Sequence, residues 1–391
     1  MDSVGLILSG GGARAAYQIG VLREIAAIRR EREPILAGAP SPFQIVCGTS
    51  AGAINGAALA TRSGDFDEAV EILGALWAGM RAGDVYRADS WGVARSGARW
   101  LTVFSVGWAL AKWRRAHPRS LLDNEPLEGL LGRAVDWKAL PGLMRAGHCK
   151  ALAVAASSYT DGQHETFYQS ADGVEPWERS LRKARPAELT NAHLMASAAI
   201  PFVFPAVELG GAWYGDGSMR QSAPISPAIR LGASKVLVVG AGRMVEPPAH
   251  ARAARMDYPS LGMVAGHALS NIFLDALSSD VERLRRINAT IARMGPIERE
   301  ASGLREVELL LIAPSLRLDE IAARLVGELP LPVRAMLAAL GVGKGQGGGG
   351  ALASYLLFEP AYTVALMELG RVDARAQQGA VAAFFGWGAR A

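Results

Sequence analysis

The sequence predicts a three-layer α/β/α fold around a mostly parallel central sheet, with a helical C-terminal extension. Strand-like apolar runs alternate with stretches of helical period along most of the chain. The first run ends in a glycine cluster that opens a helix, and the second ends in a Gly-x-Ser-x-Gly turn that opens another.

Taken in order, residues 4–8 read as a buried strand, and Ser9-Gly10-Gly11-Gly12-Ala13-Arg14 as a turn. A helix follows over 15–30, with Tyr17, Val21, Leu22 and Ile25 at helical spacing. Residues 34–42 are a loop. A second strand, Phe43-Gln44-Ile45-Val46, runs into Cys47-Gly48-Thr49-Ser50-Ala51-Gly52-Ala53 and a small-residue helix over 53–61. Residues 65–80 form another helix. Asp123-Asn124-Glu125-Pro126 is a start signal for the next. Strands at 150–157 and 165–169 pair as a hairpin across Thr160-Asp161-Gly162-Gln163. A helix over 187–197 leads into Pro201 and Pro205, and a short strand ends at Trp213-Tyr214-Gly215-Asp216-Gly217. Strands at 235–240 and 306–313 enclose one or two long amphipathic helices over 259–294. Residues 319–340 are helical, broken by Pro330 and Pro332. The α/β/α domain is set at 1–315 and the helical extension at 316–391. Seven glycines over 341–350 make a flexible tether within that extension.

Residues 84–120 stand apart. They hold Trp91, Trp100, Trp108 and Trp113 beside several arginines, a composition suited to a lid or membrane-interface insertion or to a pair of packed surface helices. Net charge is +4, and only six of the 41 basic residues are Lys. The basic residues are spread beside 37 acids, which excludes a nucleic-acid-binding tail and permits attraction to an anionic membrane surface. The two cysteines, Cys47 and Cys149, form neither a CxxC nor a disulfide framework, which favours a reducing compartment. No basic leader precedes the first strand, and no apolar run reaches the roughly 18 residues of a membrane span. The expectation is a cytoplasmic protein, soluble or held peripherally at the inner membrane surface.

Strand, Gly48-Thr49-Ser50-Ala51-Gly52, helix is the context of a nucleophile elbow. A tight turn lifts the serine out of the chain, and the helix behind it points its N–H groups toward the reacting centre. Consecutive glycines at Gly10-Gly11-Gly12 let backbone N–H groups converge, as an oxyanion hole needs. The same loop also fits a dinucleotide-binding turn, since Ala15 is an allowed third position. That reading lacks the acid expected at the end of the second strand. For the base, none of His117, His148, His164, His193, His250 and His267 follows a core strand in a sharp turn; His164 falls in the hairpin loop. Asp216, flanked by glycines at a strand end, is better placed. A poorly solvated carboxylate has a raised pKa and is a stronger base.

Together these blocks resemble the patatin-like phospholipase family in order and spacing: Gly10-Gly11-Gly12-Ala13-Arg14, Gly48-Thr49-Ser50-Ala51-Gly52 and Asp216-Gly217. The segment from Ala196-Ser197-Ala198 to Phe204-Pro205 is similar to the family's block before the Asp strand, and the tail from Ser354 through Gly370 to that of bacterial members. The chain departs from the family at Ala15, where the family has Gly, and at Ser218, where it has Gly or Ala. The resemblance implies a Ser–Asp dyad with Ser50 as nucleophile and Asp216 as proton acceptor. It implies an oxyanion hole of N–H groups around Gly11, Gly12 and Ala13, with Arg14 fixing the loop, and Ser218 completing the turn. The expected activity is hydrolysis of lipid carboxylic esters, of phospholipase A or lysophospholipase type, without metal or cofactor. The expected partners are a lipid ester and a membrane or lipid surface, with no nucleic acid. A lipid- or granule-surface binding protein with a vestigial site is the alternative.

Overall fold

The computed structural model describes residues 3–89, 120–243, 260–342 and 350–388. Most of the Trp-rich stretch, at 90–119, and most of the Gly-rich tether, at 343–349, therefore lie outside the described residues.

Among the described residues ten strands make one mixed sheet, with helices over both faces. They are β1 (Val4–Leu8), β2 (Ile45–Thr49), β3 (Ala151–Ser158), β4 (His164–Ser170), β5 (Trp177–Arg179), β6 (Arg182–Pro186), β7 (Val207–Leu209), β8 (Ala212–Asp216), β9 (Lys235–Val239) and β10 (Glu308–Ile312). The order is β10-β9-β1-β2-β3-β4-β6-β5. From β10 to β3 every pairing is parallel. These central strands are apolar without alternation because helices cover both faces. Antiparallel pairs enter beyond β3: the β3–β4 hairpin, β5 on β6, and β8 on β3 and β7.

The strands expected from the sequence are present to within a few residues. β5, β6 and β7 were not expected, since β6 is Arg-Lys-Ala-Arg-Pro and lacks an apolar run. The helix expected over 187–197 begins only at Asn191, where Thr190 and His193 form a capping box. The amphipathic stretch 259–294 divides into helices Leu261–Ser270 and Ala276–Ile291, joined by a π-helical turn.

One face of the sheet carries the larger core. Here lie α1 (Ala16–Arg32), α2 (Ala51–Ala60), α3 (Phe66–Gly79) and the C-terminal helix Pro360–Ala376. Helices Ser226–Arg230 and Ala276–Ile291 cover the other face. α1 and Pro360–Ala376 cross through a pair of glycines. A Cβ on Gly20 would lie 1.9 Å from the Met367 carbonyl oxygen, and one on Gly370 would lie 2.2 Å from that of Tyr17. The Tyr17 hydroxyl donates to Asp373 at 2.9 Å across the same crossing. Among the described residues no single helix is long and apolar enough to cross a membrane.

Gly370→Ala forces these two backbones apart and should lower stability by about 1–3 kcal/mol in denaturant melts. Gly379→Ala, in a helix with open space at that position, should instead be neutral or stabilising by up to about 1 kcal/mol.

Candidate active site

β3 is the ruler for the site. β2 runs along one of its edges only as far as the Thr49–Ala155 pair, and there the chain turns away at Ser50. β8 takes up the vacated edge from the opposite direction, pairing Asp216 with Ala156. Ser50, one residue past Thr49, and Asp216 thus meet beside the same residue of β3. No sequence signal gives this register, because 166 residues separate the two in the chain.

Ser50 has φ 55° and ψ −131°, a conformation that costs an L-residue roughly 1–3 kcal/mol. It persists because its surroundings hold it. The Ser50 N–H donates to the Ser197 hydroxyl at 2.8 Å, and the preceding Thr49 hydroxyl accepts from Gln221 at 2.8 Å. Gly48 and Gly52 let three backbones close up: a Cβ on Gly52 would sit 2.3 Å from the Leu8 carbonyl oxygen, and one on Gly48 would strike Ala53. Ala51 begins α2, whose N-terminal end therefore abuts the serine.

Asp216 is fully buried. Its N–H is fixed by the Ala199 carbonyl at 2.9 Å, and its Oδ1 accepts the Ser218 N–H at 2.9 Å. Gly217 is required here, since a Cβ would lie 2.3 Å from the Ala155 carbonyl oxygen. Burial raises the Asp216 pKa to about 6, against the opposing pull of the nearby Ser50 hydroxyl and of the Ser218 N–H and hydroxyl. Oδ2 completes no hydrogen bond of regular geometry. Alongside, Glu165 is buried and accepts from the Tyr214 hydroxyl at 2.6 Å while pairing with Arg185, which ties β8 to β4 and β6.

Gly10 and Gly11 follow β1, and Gly12, Ala13 and Arg14 lie in a single 3-10 turn. Among the described residues the N–H groups of Gly11, Gly12 and Ala13 have no partner. Gly12, at φ 54°, has no room for a side chain: the Tyr355 carbonyl oxygen would be 2.3 Å from its Cβ. Arg14 is buried, donates from Nε to the Ser354 hydroxyl at 2.8 Å and stacks 4.1 Å over the Tyr355 ring. The C-terminal segment thus holds the loop from outside. A buried amide chain holds it from inside: Gln18 donates to the Ser9 carbonyl at 2.7 Å, Asn55 donates to Ala15 and Gln18, and the Trp77 indole donates to Asn55 at 2.8 Å. Gln18 and Asn55 carried no sequence signal, as one polar residue per apolar helix face has no pattern.

In front of Ser50 and Gly12 is a partly open apolar cavity. Ile54, Trp77, Leu130, Ile200, Phe204 and Phe358 are among its walls, and among the described residues Ser50 supplies its only hydroxyl. Among the described residues no histidine lines this cavity. Contrary to its expected place in a loop, His164 begins β4 and is buried; desolvation presses its pKa down to about 4, so it is neutral at pH 7. His193 serves the cap at Thr190, and His267 is exposed on its helix. His117 and His250 lie outside the described residues. Among those described, no histidine shares a hydrogen bond with Ser50 or Asp216, and no group of three or more His, Cys, Asp or Glu is placed to hold a metal. Cys47 and Cys149 are free, buried thiols whose pKa values burial raises.

A family described as patatin-like phospholipase matches residues 6–229, more than half of the chain and a range that includes the glycine loop, the elbow and the Asp turn. The chain belongs to the patatin-like phospholipase family. In general terms it is therefore a lipid acyl hydrolase, acting on lipid substrates. Among solved structures the patatin-like chain is similar to VipD from Legionella pneumophila, at 14% identity and TM-score 0.35, covering 94% of this chain and 67% of that one. It is also similar to the type III effector protein ExoU, at 16% identity and TM-score 0.27, covering 91% and 77%. No curated protein matches the sequence.

Ser197→Ala leaves the buried Ser50 N–H without a partner and should cost about 1–3 kcal/mol in thermal unfolding. Asp216 gives a pH-dependent effect. Its pKa rises from 3.8 in the unfolded chain to about 6 in the folded one, so the folded state binds more protons between those values. Stability therefore falls as pH rises through that window. Above it the buried charge costs up to about 3 kcal/mol, a cost absent below the unfolded pKa. Asp216→Asn should accordingly melt higher than wild type at pH 7.5, with the gap closing toward pH 4. An equal gap at both pH values would show that the carboxylate is not under this strain.

Proposed function

We propose that Ser50 and Asp216 form a catalytic dyad that cleaves carboxylic esters of phospholipids or lysophospholipids through an acyl-enzyme. Asp216 accepts the Ser50 proton as Oγ attacks the ester carbonyl. Negative charge gathers on the carbonyl oxygen, where the unpartnered N–H groups of Gly11, Gly12 and Ala13 and the N-terminal end of α2 favour it. Asp216 returns the proton to the departing alcohol, then takes one from the water that releases the acyl group. A carboxylate with a pKa near 6 suits both proton transfers, being ionised at neutral pH yet basic enough to accept a proton.

One observation supports this reading above the rest: Ser50 and Asp216 adjoin the same residue of β3, at the mouth of an apolar cavity. The cavity suits an acyl chain, whose burial is worth roughly 0.8 kcal/mol per CH2. The substrate's polar end stays outside it, which fits an enzyme working peripherally at a lipid surface.

A serine-directed phosphonate should label wild type and spare Ser50→Ala; equal labelling of both would reject Ser50 as the nucleophile. On a nitrophenyl ester, kcat/KM should rise with pH through a single ionisation near 6, tenfold for each pH unit below it. Asp216→Asn should abolish turnover while the chain stays folded. Leu130→Trp, which fills the cavity, should shift preference toward shorter acyl chains.

A further inference from the structure

The sheet edge formed by β5 and β6 carries an arrangement that the hydrolase chemistry does not use. Arg179 and Arg182 are direct partners across this antiparallel pair. Like charges placed directly opposite destabilise a sheet. Trp177 lies two residues from Arg179 and so on the same face, where its ring stacks on Tyr168 with centroids 5.1 Å apart. Arg230 ends the helix Ser226–Arg230 and brings a third guanidinium over that ring, 5.8 Å from its centroid. This is the face of the second core, opposite the acyl cavity.

Among the described residues none of Arg179, Arg182 and Arg230 forms an ion pair. Glu178, between Trp177 and Arg179, is paired across the strands with Lys183 and so points to the other face. Asp280 feels the charge of Arg182, but its carboxylate already accepts the Ile225 N–H at 2.9 Å and pairs with Arg283 at 3.4 Å. The Arg182 Nε is buried and has no hydrogen-bond partner. Arg230 has its proton affinity lowered, first by burial and then by Arg179 and Arg182.

We propose that Arg179, Arg182 and Arg230 form a binding site for a phosphoryl-bearing anion, separate from the catalytic centre. Each planar guanidinium offers paired donors that match phosphate oxygens. Three of them exceed what the two oxygens of one carboxylate can use, whereas a phosphate monoester offers three free oxygens and up to two negative charges. The bound anion relieves the Arg179–Arg182 repulsion and gives Arg182 Nε an acceptor. Trp177 holds Arg230 over the site by cation–π contact. The group is either that of a soluble phosphate or that of a phosphate-monoester lipid headgroup.

The test is thermal unfolding of the full chain in increasing inorganic phosphate, against chloride at matched ionic strength. It is run on wild type, on Ser50→Ala and on Arg179→Gln/Arg230→Gln. Phosphate should raise the Tm of wild type and Ser50→Ala alike, and the double variant should bind at least roughly tenfold more weakly. Without phosphate the double variant should melt higher than wild type, since it lacks the repulsion; a purely structural role for these arginines gives the opposite order. Flotation of Ser50→Ala with phosphatidylcholine vesicles, with and without phosphatidic acid, separates the two sources. Phosphate binding with flotation only on phosphatidic acid assigns the headgroup, and phosphate binding without flotation assigns a soluble ligand. The proposal is overturned if phosphate shifts the double variant as much as wild type, or shifts neither. Because Ser50→Ala is inactive under the dyad reading and yet keeps this site, failure of one does not mimic failure of the other.

Discussion

One edge of β3 is shared by two strands, and the site depends on how that edge is divided. β2 covers it up to Ala155 and β8 covers it from Ala156 onward, arriving from the opposite direction. Two chain ends meet head to head at this boundary, and neither can continue without displacing the other. Ser50 is forced out of its strand into a left-handed conformation, and Asp216 is forced into a turn. Both residues are then held by contacts from the Ser197 segment, which binds the Ser50 N–H through its hydroxyl and the Asp216 N–H through the Ala199 carbonyl. The strain at Ser50 and the nearness of Asp216 thus share one cause in strand pairing.

This crowding explains why small residues gather at the site. Leu8, Ala155 and Tyr355 each bring a backbone carbonyl to within bonding range of where a side chain would begin on Gly52, Gly217 and Gly12. Close backbone approach excludes water, which is what raises the Asp216 pKa. The same dryness makes each unpaired polar group costly, so the neighbourhood is stitched by amides and hydroxyls such as Gln18, Asn55 and Ser197.

Much of the fold was legible because its central strands are continuous apolar runs ending in glycine turns. The elbow was legible for the same reason, and Asp216 stood out as a carboxylate between glycines. What was hidden is long-range. The Arg14–Ser354 bond spans 340 residues, and no local pattern announces it. β6 has no apolar run to read, because it pairs through its backbone and three of its five side chains are basic. His164 differs from its expected loop place because a strand boundary moved by one residue takes a side chain from solvent to core.

The hold of Ser354 and Tyr355 on the glycine loop links segments 340 residues apart. On the ribosome, residues 10–14 emerge early and must wait for the segment that completes them. Loop closure over such a separation belongs to the late stages of folding. A growing chain therefore carries Ser50 and Asp216 long before the glycine loop is braced. Bracing becomes a late event, set by the segment around Ser354 and not by the strands that carry Ser50 and Asp216.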